Sequence, residues 1–217
     1  MAIKNSINNK AQDLTIDPGA SGDSFVQFNI NGAGEFRLGV DDDASDAFKI
    51  SNGSALGTTD TFIMSASGER TMPLQPAFLA TTITEQLNVT GDGSNVTAVF
   101  GTEVFDQNAD YDSTSTFTAS VSGRYSFTTI LSMKNALVAH TNCSLSFITS
   151  NRSYVTVTQN PYSTSNGALL QLKGTCFADM DVGDTCYVQV NAGGGSKVID
   201  LMTTAAGYNY FSGYLVC

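Results

Sequence analysis

The sequence predicts an all-β protein in which a run of short strands precedes a larger β-sandwich or roll. Three observations carry that expectation. Charged residues make up only 14% of the 217-residue chain. Its surface is left to Ser, Thr, Asn and Gly, which suit strands and turns better than helices. Between Phe25 and Met64, a Phe and an aliphatic residue recur two positions apart, with turn-forming clusters between the pairs. Beyond Ala77, apolar alternation returns at intervals of roughly 10 residues with turn signals between, the spacing of a sandwich or roll.

Residues 1–24 are polar and contain nothing that could build a core. Such a start reads as an attachment segment or, equally, as a frayed terminus. Its first residues lack an apolar core and a cleavage site, so no secretory signal is expected. No apolar run approaches the ~20 residues needed to span a bilayer.

Residues 25–76 hold the pairs Phe28/Ile30, Phe36/Leu38, Phe48/Ile50 and Phe62/Met64. Two residues apart is one strand face. The clusters 31–34, 41–46 and 52–60 separate them as turns. Strands this short bury too little surface to fold alone. Identical chains are the economical partners, and the expected structure is a trimeric β-prism shaft around an apolar axis. The alternative is one ordinary small sheet packed on the C-terminal domain. Pro73 and Pro76 then stiffen the chain and mark the expected boundary.

Residues 77–217 form the expected head. Ala77–Ala80 opens it, and residues 88–95 turn into a strand over Val96–Phe100. In the stretch 117–127, Phe117, Ala119, Val121, Gly123, Tyr125 and Phe127 share one parity against Thr, Ser and Arg on the other. This predicts two strand halves with a bend or a close backbone approach at Gly123. Further strands are expected over 144–148, 154–158, 168–173, 175–180, 187–190, 198–202 and 208–216. The last is apolar on both parities, with Phe211 and Leu215 on one and Tyr208, Tyr210, Tyr214 and Val216 on the other. A strand with one wet face should not look like this, so the tyrosine side reads as an interaction site.

Chemistry has few candidates. His140 is the sole histidine, it has no nucleophile elbow nearby, and it is expected to be exposed or locally bonded. Cys143, Cys176, Cys186 and Cys217 allow three pairings, between which sequence cannot choose; a reducing cytosol would keep them as free thiols. Asp41, Asp42, Asp43 and Asp46 cluster in a turn expected to be solvated, and Asp106, Asp110 and Asp112 form a looser group. A hard cation such as calcium could bind such oxygens, but the glycine-bearing calcium-loop pattern is absent, no ligand set can be assigned, and no other cofactor is expected. Gly193–Ser196 reads as a flexible loop. No catalytic residues, and no enzyme, are expected. A net charge of −10 with no basic patch argues against nucleic acid and anionic membrane as partners.

Two stretches resemble known families. Phe117, Gly123, Tyr125 and Phe127 match the central motif of the globular head of the first complement component, a trimeric jelly roll of the tumour-necrosis-factor type. Val104–Asn108 and Tyr111-Asp112 before it, Met180–Val188 after it and the closing Phe211–Val216 are similar to that family in the right order. Thr129 stands where the family usually has an aromatic. The resemblance implies a homotrimer with the closing strand near its three-fold axis, and hence Tyr208, Tyr210 and Tyr214 at the trimer interface. Residues 20–28, 36–42, 47–51, 56–62 and 68–76 resemble a module of bacteriophage tail-fibre-like proteins that precedes such heads. This implies a virion fibre made in the host cytoplasm and acting outside the cell. The N-terminal segment would attach to the virion, and the head would bind a host receptor, a glycan or outer-surface protein. A bacterial trimeric adhesin and a fibre-borne glycan hydrolase are the alternatives.

Overall fold

The computed structural model describes residues 16, 18–19, 21–30, 34–81, 84–161, 166–202 and 209–217. Most of the expected attachment segment, and Tyr208, lie outside the described residues. The chain divides into two compact units, Met1–Leu74 and Gln75–Cys217.

In the first unit, β1 (Ser24–Ile30), β2 (Gly34–Asp41), β3 (Ala47–Asn52), β4 (Asp60–Met64) and β5 (Arg70–Thr71) form one five-stranded antiparallel sheet in chain order. Strands β1 and β2 run 7 and 8 residues, longer than the apolar pairs suggest, because the residues flanking each pair also join the ladder. Each strand thus pairs with its sequence neighbour in the same chain, as hairpins do. The register sets Val26 opposite Leu38, Phe28 opposite Phe36, Leu38 opposite Ile50, Val40 opposite Phe48, and then Ile50 and Phe48 opposite Phe62 and Met64. All four apolar pairs therefore share one face.

The opposite face carries a charged core. Lys49 Nζ lies 2.7 Å from Asp41 Oδ2 and 3.0 Å from Asp60 Oδ2, with all three side chains buried. Ser51 donates its hydroxyl to Asp60 Oδ1, and the Gly57 N–H donates to the same oxygen at 2.9 Å. Gly57 has φ +84°, and a Cβ there would sit 2.9 Å from Asp41 Oδ2, so glycine lets the β3–β4 loop close over the charges. The expectation of a solvated turn is thereby corrected for Asp41, which is sealed against Lys49; Asp42, Asp43 and Asp46 are exposed.

The head contains β6 (Ala77–Thr81), β7 (Gln86–Thr90), β8 (Asn95–Thr97), β9 (Thr102–Asp106), β10 (Thr116–Thr118), β11 (Gly123–Ala136), β12 (Asn142–Thr149), β13 (Ser153–Gln159), β14 (Ala168–Met180), β15 (Thr185–Gly193), β16 (Ile199–Leu201) and β17 (Tyr210–Leu215). They build a jelly-roll sandwich. One sheet runs β10–β15–β12–β13 with β8 beside β15; the other runs β7–β16–β11–β17–β6–β9 with β14 along the free side of β11. Rings from both sheets fill the space between them: Phe78, Phe100, Tyr111, Phe117, Tyr125, Phe127, Phe147 and Phe211 are all buried. Phe78 stacks on Tyr111 and Phe117 with centroids 5.0 and 5.1 Å apart and meets Phe211 edge-on at 4.9 Å.

The 117–127 stretch is not one bent strand. Phe117 lies in β10 of one sheet, whereas Tyr125 and Phe127 lie in β11 of the other, and the three rings meet across the core at 5.3 and 5.4 Å. Gly123 is the close approach expected there: a Cβ would sit 2.6 Å from Leu215 and 2.7 Å from the Cys217 carbonyl oxygen. Thr129, in place of an aromatic, is buried and donates its hydroxyl to the Tyr210 carbonyl at 2.7 Å. The strands expected over 168–173 and 175–180 are one, β14, running through Gly174.

Candidate functional site

Strand β17 lies between β11 and β6 in the larger sheet. Its inward residues are Phe211 and Gly213, both buried, and Leu215, half-buried against the core. Alternation turns Tyr210, Ser212 and Tyr214 to the other side. Tyr214 is 53% exposed and Tyr210 half-buried.

Register extends this outer face across five strands. One row reads Phe177, Ser126, Tyr214, Ala77. The next reads Thr175, Thr128, Ser212, Leu79, Phe105, and a third reads Lys173, Ile130, Tyr210, Thr81, Thr102. Phe177 (66% exposed), Phe105, Val104 and Leu169 stand open to solvent. Leu79, Thr81, Val104 and Tyr210 line a shallow depression of about 410 Å³. Thr128, Ile130, Lys173, Thr175 and Tyr210 line a second of about 310 Å³, so Tyr210 borders both. The charges on this face are few. Arg124 and Asp179 pair at 2.6 Å, but both are more than half exposed and such a pair contributes little. Sequence reasoning reached Tyr210 and Tyr214 but missed Phe177, Phe105, Val104 and Leu169. For Phe177, Phe105 and Leu169 the signal is an apolar side chain on a strand's wet parity, visible only once the strands are placed side by side, while Val104 sits at a register irregularity of β9.

His140, Asp200, Asp106 and Asp112 are each hydrogen-bonded into the fold. His140 is buried rather than exposed: its Nδ1 accepts the Leu137 N–H at 2.8 Å, and Nε2 lies 3.0 Å from the Ser196 carbonyl oxygen, to which it donates. Gly195 lies against the imidazole, so residues 193–196 are held by the ring rather than left free. Asp200 is buried and accepts the Asn88 N–H and the Asn135 amide, both at 2.7 Å. Asp106 accepts the N–H groups of Asp110 and Tyr111. Burial alone would raise the Asp112 carboxyl, but the N–H groups of Thr116, Ser115 and Thr114 outweigh it and hold the carboxyl below its ordinary value. Burial pushes Asp110 the other way, upward, against bonds from Ser120 and Asn108. Among the described residues, no three His, Cys, Asp or Glu side chains are grouped to hold a metal ion. All four cysteines are free thiols. Burial pushes Cys143 up to about 11 and Cys176 up to about 12, and raises Cys186 as well, while Cys217 is exposed.

The C1q domain family matches residues 77–216. Among solved structures, the globular domain of zebrafish complement 1qA protein is 19% identical, covers 66% of this chain and 98% of its own, and superposes with a TM-score of 0.46. Two structures of murine APRIL, at pH 8.5 and pH 8.0, are each 8% identical, cover 65% of this chain and 99% of their own, and give TM-scores of 0.42 and 0.45. No curated protein matches the chain in sequence.

Proposed function

The chain belongs, through residues 77–216, to the C1q domain family, and from that premise we propose that it is a homotrimeric fibre protein whose C-terminal head binds a receptor on a host surface. Domains of this family commonly form homotrimers and bind receptors. One observation carries the reading for this chain: the open apolar outer face of the larger head sheet, centred on Tyr210 and Tyr214. Left in water, such a face is a liability; shared among three copies it becomes an interface, with aromatic rings packed and hydroxyls bonded to each other or to backbone. The finer reading is a bacteriophage fibre, supported by the resemblance of residues 20–76 to a tail-fibre module. In it the N-terminal residues attach to the virion, and the head meets a glycan or outer-surface protein of the host. With His140 and the buried Asp200 bonded into the fold, the head in this reading binds rather than cleaves.

Sedimentation equilibrium of the full chain tests the assembly: the expected mass is three times the 22.9 kDa chain, and a stable folded monomer at micromolar concentration refutes it. Gold-labelled antibody against the head should mark fibre tips on virions; virions without label refute the phage reading.

A further inference from the structure

The first unit turns the usual arrangement of a small sheet inside out. Its buried side carries Lys49, Asp41, Asp60 and Ser51 under the β3–β4 loop. Its other side carries Val26, Phe28, Ile30, Phe36, Leu38, Val40, Phe48, Ile50, Phe62 and Met64. Phe28 is 57% exposed, Ile30 71%, Phe36 49% and Val40 37%, and the other six are only half-buried. At ~200 Å² for a large apolar side chain, the four most exposed alone leave about 400 Å² of apolar surface open. With the half-buried residues, the face passes the largest patch of an ordinary monomer and approaches the ~800 Å² that each partner gives to a stable interface.

We infer that this face is the inner wall of a three-fold shaft, covered by the same face of two further copies of this chain. Three features select a copy over another partner. A single layer of short strands needs a second layer in order to fold, so whatever covers it must be present whenever the chain is made. Only the chain itself meets that condition. The face has no charge at its centre, and Asn52 and Arg70 lie at its margin, so nothing on it selects a partner of opposite sign. The register sets Phe28 beside Phe36, Leu38 beside Ile50 and Phe48 beside Met64, so one continuous apolar face spans four successive strands and can meet copies of itself around an axis. The inference rests on the homotrimer proposed above and adds the residues that line its axis.

The chain contains no tryptophan, so Phe36→Trp in the full chain introduces a single reporter on this face. Its quenching by acrylamide is read on samples whose mass is determined by sedimentation, across a dilution series and again with Tyr214→Ala added to loosen the head. The expected result is a trimer whose Trp is shielded, becoming quenchable in step with dissociation. A trimer with a freely quenchable Trp overturns this inference and leaves the homotrimer standing. Shielding that persists in the dissociated chain shows that the face is covered from within one chain, and also overturns it. A monomer with a quenchable Trp overturns both readings.

Discussion

Replacing Lys49 with Met should unlock the first unit while leaving the head intact. The Lys49 ammonium sits between two buried carboxylates at 2.7 and 3.0 Å. Met matches the length of the lysine stem but leaves Asp41 and Asp60 facing each other without a cation. Removing one partner of a buried ion pair costs about 3–5 kcal/mol. At 1.4 kcal/mol per tenfold, amide protection in β2, β3 and β4 should fall roughly a hundred- to a few-thousandfold. Hydrogen exchange on the full chain reads this region by region, which a single unfolding curve cannot do for two units. Adding Asp41→Asn and Asp60→Asn to Lys49→Met should restore most of the loss, since the uncompensated charge is then gone. Unchanged protection in Lys49→Met refutes the reasoning. So does a triple variant as weak as the single one, because the lost stem packing would then be the cause. The pH dependence has two edges. Burial alone would raise the Asp60 carboxyl, but bonds from Ser51, Lys49 and Gly57 hold it below 3.8; its contribution is complete above pH 3.8 and lost as pH falls through the lower folded value. Burial alone would lower Lys49, but bonds to Asp41 and Asp60 hold it above 10.5; its contribution is complete below pH 10.5 and lost as pH rises through the higher folded value. Protection of the unit should be flat between those edges.

Tyr214→Ala should weaken the trimer by about 3–5 kcal/mol per closely packed ring while the subunit keeps its fold; sedimentation on dilution checks it, and an assembly as stable as wild type places Tyr214 in solvent. A chain starting at Gln75 should unfold cooperatively without the first unit, because the head has its own aromatic core; an insoluble or molten product counts against that. A thiol reagent at neutral pH should modify Cys217 in the native protein, and Cys143, Cys176 and Cys186 only in denaturant, by mass spectrometry; fast native labelling of the buried three contradicts their burial.

Much of the fold was legible because burial alternates with strand parity. Phe117, Ala119, Tyr125 and Phe127 fall on the buried side as their alternation requires, whereas Val121, of the same parity, lies between the two strands and is exposed. That same alternation hides the change of sheet between Phe117 and Tyr125. Both strands face one core and the connection between them happens to return the same parity inward, so only the pairing of β10 with β15 and of β11 with β14 and β17 separates them. Gly174 misled in the same local way. It reads as a break between strands, yet its bare Cα admits Thr156 and Leu145, within 2.3 and 2.8 Å of where a Cβ would stand, and β14 continues through it.

The candidate surface divides along the same line. Tyr210 and Tyr214 could be found from one strand, because β17 is apolar on both parities and a strand wet on one side has no reason to be. Phe177 and Phe105 could not, since each is a lone apolar residue on a polar parity, and scattered surface hydrophobes are ordinary. What makes them a surface is register: Ser126 lies opposite both Phe177 and Tyr214, and Leu79 lies opposite both Ser212 and Phe105. In the first unit the repeated Phe-x-aliphatic pairs announced a shared face, but not that the other face would be closed by Lys49 and two aspartates. A lysine at an inward position of a short strand looks like a solvated end until its partners arrive, one from β2 and one from β4. With the charges neutralised and sealed on one side of the sheet, the other side is held by the rings and aliphatics of the four pairs, half-buried or open to solvent.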